Sequence, residues 1–300
     1  MSAPRAGLTG AETGLGEDLW LEGDGVRLHA VAAGAGPPVL LLHGFPDCWY
    51  GWRAQLPALA AAGFRAVAVD LRGYNLSDRP RAVDAYRLSA LVADARAAAA
   101  ALGGGAPVPV VGHDWGGAVA WQLAARHPES VARLAICNAP HPDRFRALLA
   151  TPAQAARSWY VGAVQVPLLP ELLLGAAGRA VLLGVLGAAH RRAGAFTAVD
   201  RARYRQAFRG AWGVRAPLAY YRATARRAGE SLRTGRAISR PTLVLWGEAD
   251  PALLPANADG LERWVDDLRM ERFPGAGHWV MADAAEAVNA SLVRFLRGAG

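Results

Sequence analysis

The chain has 300 residues, 53% of them hydrophobic, and a formal net charge of +8 at neutral pH. This length is enough for one domain with a full core and an insertion. Two cysteines are too few for a disulfide framework, and no uncharged apolar run reaches the 18 residues that a membrane span needs. Because Met1 to Gly16 is small and polar without a hydrophobic signal core, we expect a cytoplasmic protein in which residues 1–17 form a loose tail.

The first half of the chain predicts alternating strands and helices. Leu21 to Ala30 is typical of a hairpin that turns at Asp24-Gly25. Pro38 to Leu42 and Ala66 to Asp70 are short apolar runs that predict buried strands, and Leu88 to Leu102 predicts an alanine-rich helix. The order of these elements indicates an α/β fold.

The most informative segment combines a strand, a sharp turn and a helix. Val108 to Val111 predicts a buried strand, Gly112-His113-Asp114-Trp115-Gly116 follows it, and Ala118 to Arg126 predicts a helix. This is the pattern of a nucleophile elbow, with Asp114 where serine hydrolases carry serine. An ionised carboxylate can attack a saturated carbon and form an ester with the substrate. Aspartate is also a preferred helix N-cap, so this segment alone leaves a capping role for Asp114 open.

Two further strands precede the partners that a nucleophile needs. Pro241 to Trp246 leads to Asp250, and Leu268 to Phe273 leads to His278. The chain order of nucleophile, acid and histidine is that of the α/β-hydrolase fold, a mostly parallel eight-stranded sheet flanked by helices with an inserted helical lid. Taken singly, Asp250 is also compatible with a turn before Pro251, and His278 with a buried structural histidine.

One detail near this triad stays open from the residues alone. Glu248 lies two positions before Asp250 and is a rival for the acid. The closing helix is predicted over Ala282 to Leu296, where apolar residues recur at helical spacing.

A loop rich in glycine and proline follows the strand at Pro38 to Leu42. Its residues are His43, Gly44, Phe45 and Pro46. In the α/β-hydrolase fold, one oxyanion-hole N–H comes from this loop and the other from the residue after the nucleophile. The backbone N–H groups of Phe45 and Trp115 are therefore the candidate oxyanion donors, although an ordinary turn would have a similar composition.

Charge separates one segment from the rest. All 33 basic residues are arginines, and residues 141–240 hold 17 of them against four acidic residues, whereas the remainder is net negative. This shift predicts a helical lid over 141–240, inserted between core segments 18–140 and 241–300. The stretch from Leu168 to Ala189 predicts lid helices with an apolar inner face. Four arginines at 201, 203, 205 and 209 could suggest a nucleic-acid or membrane surface, but no nucleic-acid motif accompanies them, and a solvated face is favoured.

Four motifs carry a family resemblance that runs from about Trp20 to the C-terminal helix. They are His43-Gly44-Phe45-Pro46, Asp70-Leu71-Arg72-Gly73-Tyr74, Gly112-His113-Asp114-Trp115-Gly116-Gly117 and Gly277-His278-Trp279, and they resemble the α/β-hydrolase-fold epoxide hydrolases. The resemblance implies two lid tyrosines that hold the epoxide oxygen. Tyr160 fits the first pattern, Tyr-x-x-x-x-Gln-x-Pro, and Tyr221, rather than Tyr220, fits the second, a Tyr-Arg pair. Val164 departs from the family, in which an aromatic residue is frequent, and predicts a wider pocket wall.

The resemblance also implies a reaction. Asp114 would open a small apolar epoxide to give an ester, with Tyr160 and Tyr221 donating to its oxygen. Water activated by His278 and Asp250 would then release a vicinal diol. This chemistry needs no metal and no organic cofactor. Each tyrosine taken alone is also compatible with simple packing in an apolar lid.

Two rival functions remain open at this level. A haloalkane or haloacid dehalogenase shares the aspartate nucleophile but needs halide donors, for which Trp159 is a candidate, while Phe45 and the paired phenols argue against it. A non-enzymatic ligand receptor on a hydrolase fold is the second rival, although such receptors commonly lack a triad member. The sequence leaves open which epoxide is used and whether the protein is a homodimer.

Overall fold

A computed structural model describes residues 7–166, 178–208, 212–226, 234 and 237–298. Its strands are β1 Glu17–Glu22, β2 Arg27–Ala33, β3 Pro38–Leu42, β4 Arg65–Val69, β5 Val108–His113, β6 Val131–Cys137, β7 Thr242–Gly247 and β8 Leu268–Phe273. Its helices are α1 Gly10–Thr13, α2 Gln55–Ala61, α3 Leu88–Gly103, α4 Asp114–Arg126, α5 Pro142–Leu149, α6 Pro152–Arg157, α7 Trp159–Ala163, α8 Gly178–Ala189, α9 Ala198–Ala207, α10 Trp212–Arg226, α11 Val280–Asp283 and α12 Ala285–Leu296. Short 3₁₀ helices lie at Trp49–Trp52, Val83–Tyr86, Pro128–Ser130, Pro255–Ala258 and Leu261–Arg263.

The strands of the described chain form one eight-stranded sheet in the order β1-β2-β4-β3-β5-β6-β7-β8. Strand β2 runs antiparallel to both of its neighbours, and all the other pairs are parallel. Helices cover both faces of a parallel sheet, so the side chains on both faces of the central strands are buried. These strands are therefore continuous apolar runs. The predicted α/β-hydrolase fold is confirmed.

The strand order predicts the position on the sheet edge where a ligand binds. Strand β3 pairs with β4 on one side and with β5 on the other, so the direction of winding changes between β3 and β5. In open α/β sheets, ligands bind outside the carboxyl ends of the strands at such a switch point. The loop at His43 follows β3 and Asp114 follows β5, so both lie at this position.

The N-terminal segment is docked and not loose. Leu8 is completely buried, and its backbone N–H and C=O bond to the Asn75 side chain at 2.8 Å each. Thr9 and Glu12 form a capping box on α1, and Glu17 begins β1. The prediction of a loose tail over residues 1–17 is therefore wrong from residue 7 onward, while residues 1–6 lie outside the described residues.

The described residues between β6 and β7 are mainly helical, and their helices contact the carboxyl edge of the sheet. The hydroxyl of Tyr204 on α9 donates to Asp47 at 2.7 Å, and the hydroxyl of Tyr220 on α10 donates to the Arg72 carbonyl at 2.7 Å. Of the predicted apolar stretch from Leu168 to Ala189, residues 168–177 lie outside the described residues, as does Arg209. The remainder forms α8, with Leu182, Leu183 and Leu186 buried. Within the described part of the chain, no helix combines the length and apolarity that a membrane crossing requires.

Candidate active site

Asp114 lies on a tight turn between β5 and α4. Its backbone φ of +50° lies in the left-handed region that few residues other than glycine adopt. Two glycines allow the surrounding backbone to approach closely. A Cβ atom on Gly116 would lie 2.2 Å from the Leu42 carbonyl oxygen, and one on Gly44 would lie 2.3 Å from Oδ1 of Asp114. The elbow therefore holds the carboxylate of Asp114 directly against the loop that follows β3.

The two oxygens of the Asp114 carboxylate have different partners. Oδ1 accepts a 2.6 Å hydrogen bond from the backbone N–H of Phe45, and Oδ2 lies 3.6 Å from Nε2 of His278. Burial acts to raise the pKa of Asp114, but His278 and the Phe45 N–H outweigh it, so the pKa is lowered. The carboxylate is thus ionised at neutral pH, while the N–H of Trp115, the next residue along the chain, remains a predicted oxyanion donor.

His278 lies between two carboxylates. Its Nδ1 atom is 2.7 Å from Oδ2 of Asp250, opposite the side that faces Asp114. Burial alone would lower the pKa of His278, but the charges of Asp250 and Asp114 raise it to about 10. The imidazole is therefore protonated in the resting site. Glu248, the rival acid, instead pairs with Arg272 at 3.2 Å.

Asp250 is buried and fully bonded. Its Oδ1 accepts from the backbone N–H groups of Ala252 and Leu253 at 2.7 and 3.0 Å, and its Oδ2 accepts from the Asn138 amide at 2.9 Å. Burial acts to raise the pKa of Asp250, but His278 and these donors lower it overall. An ionised carboxylate of fixed orientation accepts from Nδ1–H of His278 and so presents Nε2 toward Asp114.

Two other buried histidines make structural hydrogen bonds. His43 donates from Nδ1 to the Gly44 carbonyl and accepts the Leu71 N–H at Nε2, which fixes the loop that carries Phe45 and the cis peptide bond to Pro46. His113 donates from Nε2 to the backbone carbonyl of His278 at 3.0 Å. Burial and the neighbouring charged His278 together lower the pKa of His113 to about 4.

The rings of Tyr160 and Tyr221 contact each other close to Asp114, whose charge acts on both phenols. Their ring centroids are 5.9 Å apart, and the Tyr221 ring also contacts the rings of Phe45 at 5.4 Å and Trp115 at 5.1 Å. Burial and the nearby Asp114 raise the pKa values of both phenols, so they remain protonated donors at any physiological pH. Tyr220 points elsewhere, since its hydroxyl bonds to the Arg72 carbonyl.

A cavity of about 340 Å³ opens beside Asp114. Its walls include Trp115 and Tyr221 and are otherwise almost entirely apolar, comprising Leu88, Ala118, Pro140, Pro142, Phe145, Leu149, Val161, Thr224, Ala225 and Leu253. Trp159 is not part of this wall, and its side chain is 71% exposed. Across the described ranges, no group of three or more His, Cys, Asp or Glu side chains is arranged to hold a metal ion. The cavity suits a small apolar molecule.

The sequence patterns did not identify two polar residues that support the site. Asn138 directly follows β6, donates to Asp250 and accepts the Gly247 N–H at 2.7 Å. Asp47 accepts from Tyr204 and, at 2.9 Å, from the Trp279 indole, so it connects the Phe45 loop to a helix and to the His278 loop. The available signal was positional, because each is a polar residue close after the carboxyl end of a central strand.

Comparisons with known proteins agree with this fold. Residues 37–285 match the family model described as alpha/beta hydrolase fold. Epoxide hydrolase 1 of Caenorhabditis elegans is 38% identical over 90% of this chain and 68% of its own length. The AB hydrolase superfamily protein YfhM of Bacillus subtilis is 35% identical over 91% of this chain and 96% of its own. The crystal structure of a Bacillus megaterium epoxide hydrolase in complex with an inhibitor superposes with a TM-score of 0.81 at 30% identity, covering 93% of this chain and all of that one.

Proposed function

The chain belongs to the α/β-hydrolase-fold family of epoxide hydrolases, and we propose that it converts apolar epoxides to vicinal diols through a covalent ester on Asp114. One observation carries the proposal. The carboxylate of Asp114 is anchored by the Phe45 N–H on one oxygen, faces His278 with the other, and borders an apolar cavity to which Tyr221 also contributes. Asp114 is then the nucleophile, His278 the base and the hydroxyl of Tyr221 the proton donor of one site.

The first step is ring opening. Tyr160 and Tyr221 donate hydrogen bonds to the epoxide oxygen, and Oδ2 of Asp114 attacks a ring carbon. The new bond is an ester C–O bond, the broken bond is the carbon–oxygen bond of the ring, and its electron pair goes to the epoxide oxygen, which takes a proton from a phenol. Because both phenols are protonated in the buried site, the donors are in the required state before substrate enters.

The change of charge at Asp114 then prepares His278 for the second step. The ester is neutral, so one of the two carboxylates that raise the pKa of His278 is lost. The imidazolium gives up its proton, which replaces the one that the phenol lost. Neutral His278, still oriented by Asp250, can now act as a general base.

Ester hydrolysis closes the cycle. His278 takes a proton from water, and the resulting hydroxide attacks the carbonyl carbon of the ester. Charge develops on Oδ1, which the Phe45 N–H already contacts at 2.6 Å. Collapse breaks the ester C–O bond, and the leaving diol oxygen takes the second proton of the water. Asp114 is then anionic and His278 protonated again, so the cycle consumes one water and no further proton.

The rival functions fit these contacts less well. Trp159, the candidate second halide donor, is largely exposed and lies outside the cavity wall. A receptor that only binds ligand has no use for a histidine held between two carboxylates at 2.7 and 3.6 Å. The small apolar epoxide and water are therefore the proposed partners of this site.

A substrate panel tests the proposal. Purified protein is incubated with styrene oxide, 1,2-epoxyoctane and cyclohexene oxide, and in parallel with 1-chlorohexane and 1-bromohexane, while diol and halide are quantified. We expect diol from at least one epoxide and no halide release. Asp114→Asn should lose diol formation because it lacks the carboxylate, and it should still fold because asparagine tolerates the same left-handed backbone. Halide release without diol formation would assign the protein to the dehalogenases instead.

A further inference from the structure

We propose that this enzyme selects terminal epoxides, substituted on one ring carbon only, because an apolar plug fills the space on one side of its two phenols. The plug consists of Leu182 on α8, Leu218 on α10, and the side chains of Phe45 and Val164 packed against them. Leu182 and Leu218 are only 3% and 1% exposed. This proposal rests on the epoxide hydrolase function above and narrows its substrate class.

Helix α10 divides the site into two sides. Tyr221, Thr224 and Ala225 line the cavity, whereas Leu218 belongs to the plug. Residues three and four apart lie on one face of a helix, so these side chains form a row along α10. With a rise of 1.5 Å per residue, Leu218 and Thr224 lie about 4.5 Å on either side of Tyr221 along the helix axis. The phenol of Tyr221 is therefore at the border between cavity and plug.

Helix α7 and the segment after it repeat this division. Val161 lines the cavity, and Val164, three residues further on, packs in the plug. Tyr160 precedes both residues and contacts Tyr221 ring to ring. Val164 packs against Leu182 and Leu218 and is not among the described residues that line this cavity, so the wider wall expected at Val164 is not part of it.

The plug adjoins the reacting atoms directly. The Phe45 ring contacts the Tyr221 ring, and the Phe45 backbone N–H bonds to Asp114. In the described part of the chain, the cavity wall includes Asp114 and Tyr221 but none of the four plug residues. Within the described residues, an epoxide held between Asp114 and the phenols therefore has this cavity on one side and the plug on the other.

The positions of the substituents on an epoxide determine whether one of them meets the plug. The substituents of a trans-1,2-disubstituted epoxide extend in opposite directions from its two ring carbons. With the oxygen at the phenols and one carbon at Asp114, one substituent enters the 340 Å³ cavity and the other meets the plug. A single methylene misplaced in an apolar pocket typically changes kcat/KM by about 10- to 200-fold. A terminal epoxide places only hydrogen atoms toward the plug and avoids this loss.

Two isomers of the same formula test the proposal in the unmodified protein. 1,2-Epoxyoctane has one hexyl substituent, whereas trans-4,5-epoxyoctane is symmetric, so a propyl group faces the plug in either orientation. We expect kcat/KM to favour 1,2-epoxyoctane by about 100-fold. A ratio within about threefold would overturn the proposal. A protein that hydrolyses neither isomer nor any other epoxide would instead overturn the proposed function on which it rests.

Variants then assign the selectivity to the plug. Leu182→Ala and Leu218→Ala open the blocked side, and we expect the ratio of the two kcat/KM values to fall about tenfold in each. Leu183→Ala is the matched control, because Leu183 is equally buried on the same helix but lies in the main core. It is expected to lower the melting temperature and to keep the wild-type ratio.

Smaller truncations keep this test possible if the alanine variants at the two leucines do not fold. Val164→Ala and Leu182→Val remove less volume and serve if the larger truncations cannot be purified, with the ratio expected to fall in the same direction. Plug variants that are folded, as judged by circular dichroism and a cooperative melt, but that keep the wild-type ratio would overturn the assignment. A ratio that falls equally in Leu183→Ala would also overturn it, since the effect would then come from general loosening of the fold.

Discussion

The backbone N–H of Phe45 donates a 2.6 Å hydrogen bond to Oδ1 of Asp114 in the resting site. The bond fixes which carboxylate oxygen is free, because Oδ2 is left on the side of His278. In a serine hydrolase the oxyanion donors bind the substrate, whereas here one of them, the Phe45 N–H, is already hydrogen-bonded to the nucleophile. Oδ1 would become the carbonyl oxygen of the ester, and its hydrogen bond would shorten as charge develops during hydrolysis.

Isotope labelling in a single turnover tests whether Asp114 attacks. With enzyme in excess over 1,2-epoxyoctane in water enriched in heavy oxygen, the first diol should be mainly unlabelled, because its added oxygen comes from the carboxylate. Mass spectrometry should find the heavy oxygen on the peptide that contains Asp114. A first diol that is fully labelled would mean direct attack by water and would contradict the ester mechanism.

Replacing the base should separate the two half-reactions. His278→Gln is expected to form the ester and fail to hydrolyse it, because the attacking water loses its base. Intact mass should rise by one substrate, and steady-state diol formation should fall by about 10²- to 10⁴-fold. Glu248→Gln is the matched control, since Glu248 pairs with Arg272, and it should accumulate no ester. A folded His278→Gln that forms no adduct would show that His278 acts before ester formation.

Removing a phenol hydroxyl should slow ring opening. Tyr160→Phe and Tyr221→Phe each delete one donor to a developing oxyanion, a change that typically costs on the order of 10²- to 10³-fold in rate. Pre-steady-state ester formation is the measurement, and hydrolysis of the ester should change far less because its oxyanion is held by the Phe45 N–H. Tyr220→Phe controls for the neighbouring hydroxyl, which bonds to the Arg72 carbonyl. Near-normal ring opening in a variant that carries both substitutions would show that these phenols do not activate the epoxide oxygen.

The charge coupling between Asp114 and His278 can be measured by NMR titration of the His278 imidazole. In the free enzyme it should titrate near pH 10, because two carboxylates stabilise the imidazolium against the opposing effect of burial. Asp114→Asn removes one of these charges, so the pKa of His278 should fall, as it would when the ester forms. A pKa unchanged by the substitution would show that ester formation does not switch His278 to its basic form.

A second buried histidine should make stability depend on pH. His29 is 1% exposed and lies 2.7 Å from Asp70 and 2.9 Å from Asp18. Burial opposes its charge, but the two carboxylates raise its pKa above 6.5. The folded state therefore retains this proton longer than the unfolded state. Its stabilisation is fully present below pH 6.5 and is lost as the pH rises through the folded pKa.

The variant His29→Gln isolates this contribution. Denaturant unfolding below pH 6 should show a loss of about 1.5–3 kcal/mol in the free energy of unfolding, because buried Asp70 loses a charged partner but keeps its hydrogen bonds from Trp49 and Asn75. The difference between wild type and variant should shrink as the pH rises above the folded pKa of His29. A difference that stays constant across this range would show that His29 is neutral in the folded protein.

Local patterns predicted most of the sheet and the chain order of the candidate triad. The strands that begin at Val108 and Thr242 contain apolar runs followed by a glycine, and such runs can be recognised without knowledge of their neighbours. The position of Asp114 could be inferred for the same reason, because the elbow consists of consecutive residues. The choice of Asp250 over Glu248 was favoured by chain pattern, and only the structure shows Asp250 beside His278 and Glu248 beside Arg272.

Tertiary structure alone decided the features that depend on residues distant in sequence. The N-terminal segment docks because Leu8 meets Asn75, 67 positions away, so its polar composition gave no sign of the contact. The raised pKa of His278 requires two carboxylates from separate loops. The plug likewise joins Leu182 and Leu218 from two helices to Phe45 from the core. Packing between elements sets which apolar side chains fill the space beside Tyr221, and hydrophobic periodicity specifies only that such side chains face inward.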